Sequence, residues 1–353
     1  MDEVAKTRIK VLIGLAGIVI AVHVILVIIF VSGGSRSSDK KQKGSPAQTA
    51  QTSAKAPVVP AAPVYRYFVP SKNPLFGRPL DYSTALRGNI PAKEVPGSAG
   101  ARSGIIVDMD TRRVLWEKNS LTPVPIASMA KMMTMLVVME ELEKRPAMGI
   151  HTPVTVTQTA RKVPRTGVLY LAPGEKFTVQ ELMIATAVKS ANDAATLLAE
   201  YIGGNVPAFV SLMNHKAASL GLRSTRFINP CGLPEGNKNS LGSAADMVLL
   251  GEQLFQYPVL MQWCNIKSSS IRNGKTIFVN TNKLVNPRYP GVDGLKTGYI
   301  RAAGSCLTFS ALRNGRRIVG CVTGFKSSRD RDRFCRRLLD WAYKQPARVT
   351  AKR

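Results

Sequence analysis

Two residues that could act together chemically lie within one apolar segment, VPIASMAKMMTML at residues 124–136. Ser128 and Lys131 are three positions apart, so on a helix their side chains share a face. Pro125 suits a helix start, which predicts that Ser128 lies in the first turn, where free N–H groups favour negative charge. A hydroxyl is a weak nucleophile until a base takes its proton. Apolar burial and a second cation both lower a lysine pKa, so the pattern predicts a serine nucleophile with a neutral lysine as its base.

The spacing of this pair is weak evidence by itself. Ser-x-x-Lys also occurs in a low-complexity part of the chain, at Ser37 with Lys40 and at Ser38 with Lys41. A serine at a helix start, followed by a lysine that extends to solvent, is the alternative interpretation.

A second polar pair, Ser190 and Asn192, stands in KSANDAA, where one predicted helix ends and the next begins. Side chains at such a junction can leave the helix surface and point into a cleft. Serine and asparagine are also common helix-capping residues, so a capping segment is the alternative.

A third motif, Lys296-Thr297-Gly298, lies in the predicted strand GVDGLKTGYI. A glycine in a strand lets another backbone approach closely, as when an extended peptide pairs with a sheet edge. Lys296 would supply the second cation that a neutral Lys131 requires. Strict alternation sends Lys296 and Thr297 to opposite faces, so an edge strand with a solvated lysine is the alternative.

The elements that must position these motifs follow the order strand pair, helical middle, strands and final helix. GIIVDMDTRRVLWEKN predicts two strands with a turn at Asp108–Arg112. Residues 265–325 are strand-like and include a hairpin that turns at Asn314-Gly315. The helical patterns are the Ser128 segment to EELEKRP, TVQELMIATAVKS, ANDAATLLAEYIGG, VPAFVSLMNHKAASLG and the closing SSRDRDRFCRRLLDWAYK. This order predicts an α+β domain whose sheet is completed by both ends of the segment.

The N-terminal part of the chain has a different composition. At about 1.5 Å per residue, the apolar run at 11–32 is long enough to cross a bilayer. It exceeds a signal-peptide core, so a retained anchor is favoured over a cleaved signal. We therefore expect a cytoplasmic segment at 1–10, a transmembrane anchor or uncleaved signal at 11–32, a tether and transition at 33–98, one catalytic domain at 99–345 outside the membrane, and a basic tail at 346–353. The flanking charges do not decide the orientation.

The net charge of +27 suggests an acidic partner, namely nucleic acid, anionic lipid or a polyanionic wall. The chain has no recognisable nucleic-acid module, so a solvated basic surface is the simpler interpretation and no nucleic-acid partner is expected. The five cysteines lack C-x-x-C spacing and the three histidines form no cluster, so we expect neither a metal nor a cofactor.

The predicted hairpin also bears on disulfide formation. It would place Cys321 opposite Thr308 and Cys306 opposite Thr323. The two cysteines would then be diagonal neighbours, which allows a disulfide without favouring one. We therefore interpret all five cysteines mainly as core thiols.

Taken in this order, Ser-x-x-Lys, Ser-x-Asn and Lys-Thr-Gly resemble the three signature motifs of the penicillin-recognising serine enzymes. The segments IASMAKMMT, MIATAVKSANDAA, FINPCGLP and PGVDGLKTGY are similar to those of the D-alanyl-D-alanine carboxypeptidases, the low-molecular-mass penicillin-binding proteins. The resemblance covers about residues 99–344. It implies a β-lactamase/D,D-peptidase-like α+β fold, in which helices flank an antiparallel sheet beside a mostly helical subdomain, here preceded by one transmembrane helix.

The resemblance also implies a role for each residue. Ser128 would attack the carbonyl between the last two D-alanines of a peptidoglycan stem peptide and form an acyl-enzyme, and Lys131 would take its proton. Ser190, held by Asn192, would relay a proton to the departing D-alanine. A β-lactam would acylate the same serine. The implied substrate-binding residues are Lys296, Thr297, Gly298, Tyr299 and Arg329, with the backbone N–H groups of Ser128 and Tyr299 as the oxyanion hole.

The chain departs from the family pattern at two positions. Thr281 stands where some members have an arginine, and Cys231 stands where some have a histidine, so recognition of the carboxylate is less determined than the reaction type. The chain also ends at the closing helix, without the β-rich second domain and C-terminal anchor of many relatives. We expect the N-terminal span and tether to replace that anchor.

Three functions fit the sequence. The first is a D,D-carboxypeptidase. The second is another enzyme on the same fold, either an endopeptidase that cuts cross-links or a β-lactamase, although no segment between Ser190 and Lys296 resembles the glutamate loop of class A β-lactamases. The third is a tethered, non-catalytic protein that binds wall peptide or a β-lactam.

Overall fold

The computed structural model describes residues 67–91, 94–285 and 289–347. The predicted membrane span at 11–32 and the tether before residue 67 lie outside these residues. In the described part of the chain, no helix is both long and apolar enough to span a bilayer.

Strands and helices alternate in blocks, as the sequence pattern predicts. In chain order the strands are β1 (Leu86–Arg87), β2 (Ser103–Asp108), β3 (Arg113–Lys118), β4 (Val124–Pro125), β5 (Pro153–Thr155), β6 (Lys176–Thr178), β7 (Leu241–Gly242), β8 (Ser268–Ile271), β9 (Thr276–Val279), β10 (Val292–Ile300), β11 (Gly304–Arg313) and β12 (Arg316–Phe325). The α-helices are α1 (Lys131–Lys144), α2 (Gln158–Arg161), α3 (Val179–Ile184), α4 (Asn192–Gly203), α5 (Val206–Ser219), α6 (Ala244–Leu254), α7 (Pro258–Cys264) and α8 (Ser328–Lys344). Two 3₁₀ turns (Ser98–Gly100, Ala127–Ala130) and a π-helical turn (Ala185–Lys189) join them.

A mixed sheet in the order β1-β3-β2-β12-β11-β10 forms the frame of the domain. Its strands pair antiparallel except β1 with β3, which pair parallel. Both ends of the domain contribute, because β2 pairs with β12. Ile105 and Val107 face the large core that the helices cover, whereas Ile106 faces a second core under α8. Since both faces are covered, β2 is buried throughout, and its central residues Ile105 to Val107 are consecutive apolar residues instead of alternating.

The closing helix α8 packs as its sequence pattern predicts. Phe334, Leu338 and Trp341 are all buried in the second core. The ring of Phe334 meets that of Trp116 edge-on, with centroids 5.7 Å apart. One face of α8 therefore closes the sheet, and its opposite face remains exposed.

The folded region begins earlier than residue 99. Within the expected tether and transition at 33–98, Ile90 and Val95 are buried, and β1 extends the sheet beside β3. This segment is rich in proline and glycine and has no periodic apolar pattern, because it contributes scattered core residues rather than a helix or a long strand.

The cysteines and the hairpin register agree with the sequence analysis except at one position. All five cysteines are free and buried. Thr308 lies opposite Cys321, as predicted. Cys306 does not lie opposite Thr323, because the register shifts between the pairs Ser305–Phe325 and Leu307–Val322 and leaves Cys306 in the irregularity.

Candidate active site

Ser128 lies in the 3₁₀ turn Ala127–Ala130, immediately before α1 begins at Lys131. The helix does not start at Pro125, which belongs instead to β4 and pairs with Leu241 of β7. Ile126 donates its N–H to the carbonyl of Ser240 at 3.1 Å, so this short pairing fixes the entry to the turn. Ala127 then adopts a φ of 49°, a left-handed conformation that is uncommon for a residue with a Cβ.

Two glycines allow other segments to approach this turn. A Cβ at Gly298 of β10 would lie 2.8 Å from the carbonyl oxygen of Ile126, and one at Gly232 would lie 1.9 Å from that of Ala127. Gly232 also has a φ of 72°. The glycine of Lys-Thr-Gly, expected to make room for an incoming peptide, here makes room for the chain's own backbone beside Ser128.

Lys131 is fully buried and contacts three acceptors. Its Nζ lies 3.1 Å from Oγ of Ser128, 2.6 Å from Oδ1 of Asn192 and 2.8 Å from the carbonyl oxygen of Cys231. A neutral amine has two N–H donors and one lone pair. If the N–H groups bind Asn192 and Cys231, the lone pair faces the Ser128 hydroxyl.

Burial lowers the pKa of Lys131 to about 8, against the opposing effects of Cys231 and the Asp193 carboxylate. At neutral pH an appreciable share of this amine is therefore unprotonated, as a general base must be.

Ser190 and Asn192 occupy the predicted junction between helices. Ser190 ends the π-helical turn with a φ of 63°, and Asn192 is the first residue of α4. The Nδ2 of Asn192 donates to the carbonyl of Thr166 at 2.5 Å, which orients its Oδ1 towards Lys131. The expected contact between Asn192 and Ser190 is not a direct hydrogen bond, because none joins these two side chains among the described residues; Asn192 instead binds Lys131 and Thr166.

Lys296 is buried behind the cleft, with 1% of its surface exposed. Its Nζ donates to the carbonyl of Thr297 at 3.2 Å. Burial lowers its pKa well below the ordinary value, and the charge of Lys131 lowers it further. The two ammonium groups disfavour each other, so the pair does not readily carry two protons. Lys296 is thus a buried partner of Lys131 in this electrostatic coupling, and the solvated-lysine interpretation is wrong.

Most of the other predicted residues meet in one cleft of about 350 Å³. Of the predicted site residues, those lining it are Ser128, Ser190, Asn192, Thr297, Gly298 and Tyr299. Thr297 donates from Oγ1 to Oγ1 of Thr281 at 2.7 Å, and Thr281 also lines the cleft. Neutral hydroxyls therefore stand where some members of the resembled family have an arginine.

The arginine of the cleft is Arg331, not the predicted Arg329. Arg331 is buried, and its guanidinium binds Oδ1 of Asp332 at 2.9 and 2.6 Å and the carbonyl of Cys306 at 3.1 Å. Arg329 is exposed and faces a neighbouring groove. Helical spacing explains the difference, because Arg331 is three residues from Ser328 of the cleft and shares its face, whereas Arg329 does not.

The segment Asn229–Leu233 contacts both Lys131 and the Ser128 turn, an arrangement that its sequence does not predict. Oδ1 of Asn229 accepts the N–H groups of Cys231, Gly232 and Leu233 at 3.2, 2.8 and 3.1 Å. This tight turn presents the Cys231 carbonyl to Lys131 and Gly232 to the Ser128 turn. FINPCGLP contains this segment, but it has no periodicity from which such a role could be predicted.

The described residues contain no group of three or more His, Cys, Asp or Glu side chains that could hold a metal ion. The polar side-chain groups at the cleft that could take part in a reaction are its hydroxyls, its amines and the Arg331 guanidinium.

Comparisons with known proteins agree with this geometry. The family model for D-alanyl-D-alanine carboxypeptidase matches residues 90–327. The D-alanyl-D-alanine carboxypeptidase DacF of Bacillus subtilis is 38% identical over 248 residues, which cover 69% of this chain and 62% of that protein. The D-alanyl-D-alanine endopeptidase of Pseudomonas aeruginosa is 30% identical over 242 residues, which cover 67% of this chain and 76% of that one. The chain thus spans less than two thirds of the length of DacF.

Solved structures show the same fold. Penicillin-binding protein 5 of Haemophilus influenzae superposes with a TM-score of 0.66 at 30% identity, covering 72% of this chain and 73% of that one. Penicillin-binding protein D2 of Listeria monocytogenes, in its cefotaxime-bound form, gives a TM-score of 0.63 at 26% identity, covering 69% of this chain and 98% of that one. With a family match over most of the folded domain and a cleft that unites the three motifs, the chain belongs to the D-alanyl-D-alanine carboxypeptidase family.

Proposed function

We propose that this protein is a serine D-alanyl-D-alanine carboxypeptidase, which removes the terminal D-alanine from peptidoglycan stem pentapeptides through an acyl-enzyme on Ser128. The contact that carries the proposal is the 3.1 Å approach of the buried Lys131 amine to the Ser128 hydroxyl. Asn192 and Cys231 support it, because they occupy the two N–H groups of the neutral amine.

The first half of the reaction forms the acyl-enzyme. Ser128 Oγ attacks the carbonyl carbon of the penultimate D-alanine while Lys131 takes the hydroxyl proton. The backbone N–H groups of Ser128 and Tyr299 then stabilise the oxyanion, a type of contact whose loss costs about 100–1,000-fold in rate. Lys131 passes the Ser128 proton to Ser190, which lines the cleft and gives its own proton to the leaving nitrogen as the C–N bond breaks. D-alanine then departs with its carboxylate, and Lys131 is neutral again.

The second half consumes water. A water molecule gives a proton to the neutral Lys131 and attacks the ester carbon. Lys131 then returns that proton to the Ser128 oxygen as the C–O bond breaks and the shortened peptide leaves. The charges of Lys131 and Lys296 disfavour each other, so the pair does not readily hold two protons during this cycle.

The terminal carboxylate of the substrate is held by Thr297 and Arg331. Both line the cleft with Ser128, and the Arg331 guanidinium is positioned by Asp332 and by the carbonyl of Cys306. Lys296 supports this part of β10 by donating to the carbonyl of Thr297. Arg329, which lies outside the cleft, has no part in this contact.

β-Lactams are the expected covalent inhibitors, because the cefotaxime-bound and ampicillin-bound structures of the Listeria protein have the same fold. The residues before 67 fit a matching location: a short segment at 1–10 inside the cell, a span at 11–32 in the cytoplasmic membrane, and a tether that leaves the catalytic domain facing the wall.

Labelling with a fluorescent penicillin, followed by peptide assays, tests the proposal. We expect label on Ser128 and release of free D-alanine from a pentapeptide, with both abolished in Ser128→Ala and retained in Ser219→Ala, which removes an exposed hydroxyl at the end of α5. Cleavage of a cross-linked dimer without D-alanine release would favour the endopeptidase, the activity named for the Pseudomonas relative. Label without turnover would favour the binding protein, and an unlabelled Ser128 would contradict acylation altogether.

A further inference from the structure

A basic groove of about 590 Å³ runs beside the cleft, along the exposed face of α8. We call it the α8 groove. Its charged lining consists of five cations, Lys283, Arg329, Arg333, Arg336 and Arg337, and one anion, Asp332.

The acidic side chains near the groove neutralise little of this charge. Asp332 is already engaged, because its Oδ1 accepts two N–H groups from Arg331 on the cleft side. Asp330 lies 3.3 Å from Arg333, but both side chains are 54% exposed, and such pairs contribute little in water.

Two of the arginines are oriented by backbone carbonyls, which fix a guanidinium without cancelling its charge. Arg336 donates to the carbonyl of Lys283 at 3.4 Å, and Arg337 donates to that of Pro96 at 3.5 Å. The groove therefore keeps its positive charge, and two of its five cations have a backbone partner.

The α8 groove adjoins the catalytic cleft, because Ser328 lines both. From Ser328 to Arg337 the helix rises by roughly 14 Å, at about 1.5 Å per residue. One cation is enough to bind a single carboxylate, and the groove has five. A row of this length fits an elongated molecule with several anionic groups, one end of which enters the cleft.

We propose that the α8 groove binds carboxylates of neighbouring stem peptides on the same peptidoglycan strand whose stem occupies the cleft. This inference rests on the proposed function. Each uncleaved stem ends in a carboxylate, so a strand that carries such stems is a polyanion. The shared Ser328 joins the groove to the cleft, which favours the substrate polymer over an anionic membrane or a nucleic acid.

The test compares two substrates with and without the groove charges. The full chain is assayed on a soluble pentapeptide and on uncross-linked peptidoglycan strands, and the variant carries Arg333→Gln, Arg336→Gln and Arg337→Gln. We expect the ratio of kcat/KM on strands to kcat/KM on pentapeptide to fall about tenfold in the variant. Added salt should lower the wild-type ratio and leave that of the variant nearly constant, because salt screens exposed charges.

Matched variants separate a charge effect from misfolding. Arg223→Gln, Arg226→Gln and Lys275→Gln remove the same charge from exposed positions elsewhere and should leave the ratio unchanged. Lysine at 333, 336 and 337 keeps the charge and should restore most of the ratio. An unchanged ratio in the glutamine variant would overturn the inference, as would a variant that loses binding to phosphatidylglycerol vesicles but not to strands. Failure of the wild type on the pentapeptide would instead contradict the proposed function.

Discussion

The Lys131 amine is directed at Ser128 because its other two neighbours accept its N–H groups. Asn192 and the Cys231 carbonyl lie 2.6 and 2.8 Å from Nζ, and the remaining neighbour is the Ser128 hydroxyl at 3.1 Å. Burial keeps water from competing for the amine and lowers its pKa to about 8. The same surroundings that make this lysine costly to bury make it a base.

Replacing this amine should remove acylation and leave the fold. Lys131→Met retains an unbranched chain of similar volume without a base, so we expect the penicillin acylation rate to fall about 100–10,000-fold. Lys144→Met, at the exposed end of the same helix, is the control and should acylate at the wild-type rate. Circular dichroism checks that both variants are folded. An unchanged rate in Lys131→Met would remove Lys131 from the role of base.

The buried Asp193 carboxylate opposes the lowered pKa of Lys131. It also accepts the N–H groups of Leu169 and Leu171 at 2.9 and 3.1 Å. Asp193→Asn keeps an acceptor oxygen but removes the charge, so the pKa of Lys131 should fall below that of the wild type. An NMR titration of ¹³C-labelled lysine measures this pKa, with Lys131→Met assigning the signal. A pKa that rises or stays constant in Asp193→Asn would argue against this electrostatic coupling.

At the scale of elements, the nucleophile is placed by close backbone approach. The Asn229–Leu233 segment and β10 both press on the 3₁₀ turn, and each does so at a glycine. Asn229 holds its segment by accepting three backbone N–H groups. Ser128 is thus fixed by segments that are distant in the sequence.

Adding one methyl group should displace this turn. In Gly232→Ala the new Cβ would meet the Ala127 carbonyl oxygen at 1.9 Å, so we expect acylation to fall at least about 100-fold, since a shift of about 1 Å at a reacting atom can cost that much. Gly236→Ala is the matched control, because Gly236 also has a positive φ, 57°, but nothing lies within 4 Å of the added Cβ. That variant should lose about 1 kcal/mol of stability and little activity. Equal acylation rates in the two variants would show that the close approach does not matter.

At the scale of the whole domain, a buried ion pair joins the β2–β3 hairpin to α6. Arg112 and Glu252 are each 3% exposed, and Arg112 also donates to the carbonyl of Arg78. The N–H of Gly77 reaches Glu252 at 3.4 Å. The segment before β1 is therefore attached to the same pair.

Breaking this pair should destabilise the domain strongly. Arg112→Met leaves the Glu252 carboxylate buried without its partner, and we expect a loss of about 3–5 kcal/mol in the free energy of unfolding, measured by urea denaturation. Arg87→Met breaks the pair of Arg87, 66% exposed, with Glu117 and should cost about 0–1 kcal/mol. Adding Glu252→Leu to Arg112→Met should restore much of the lost free energy of unfolding, because no unpaired carboxylate then remains buried. Similar costs for the two single variants would contradict the importance of burial.

The sequence predicts those parts of the molecule that carry a repeating pattern or a chemically costly residue. Lys131 was identifiable because a lysine inside an apolar helix is costly, and the hairpins and amphipathic α8 follow from periodicity. Arg331 was missed because the choice among the arginines of RDRDR depends on which face of α8 meets β11. Asn229 was missed because it acts by holding a tight turn, which has no repeating sequence pattern. Residues 67–98 were missed because they contribute scattered core contacts, which give no apolar periodicity in the sequence.

The central claim is that a neutral Lys131 takes the proton of Ser128, and the pH dependence of acylation tests it most directly. Intact-mass spectrometry should follow penicillin attachment to Ser128 between about pH 5.5 and 10. Because the base must be unprotonated, the rate should rise about tenfold per pH unit below the pKa and level off above about 8. A rate that does not change across this range, or a label on another residue, would contradict the account.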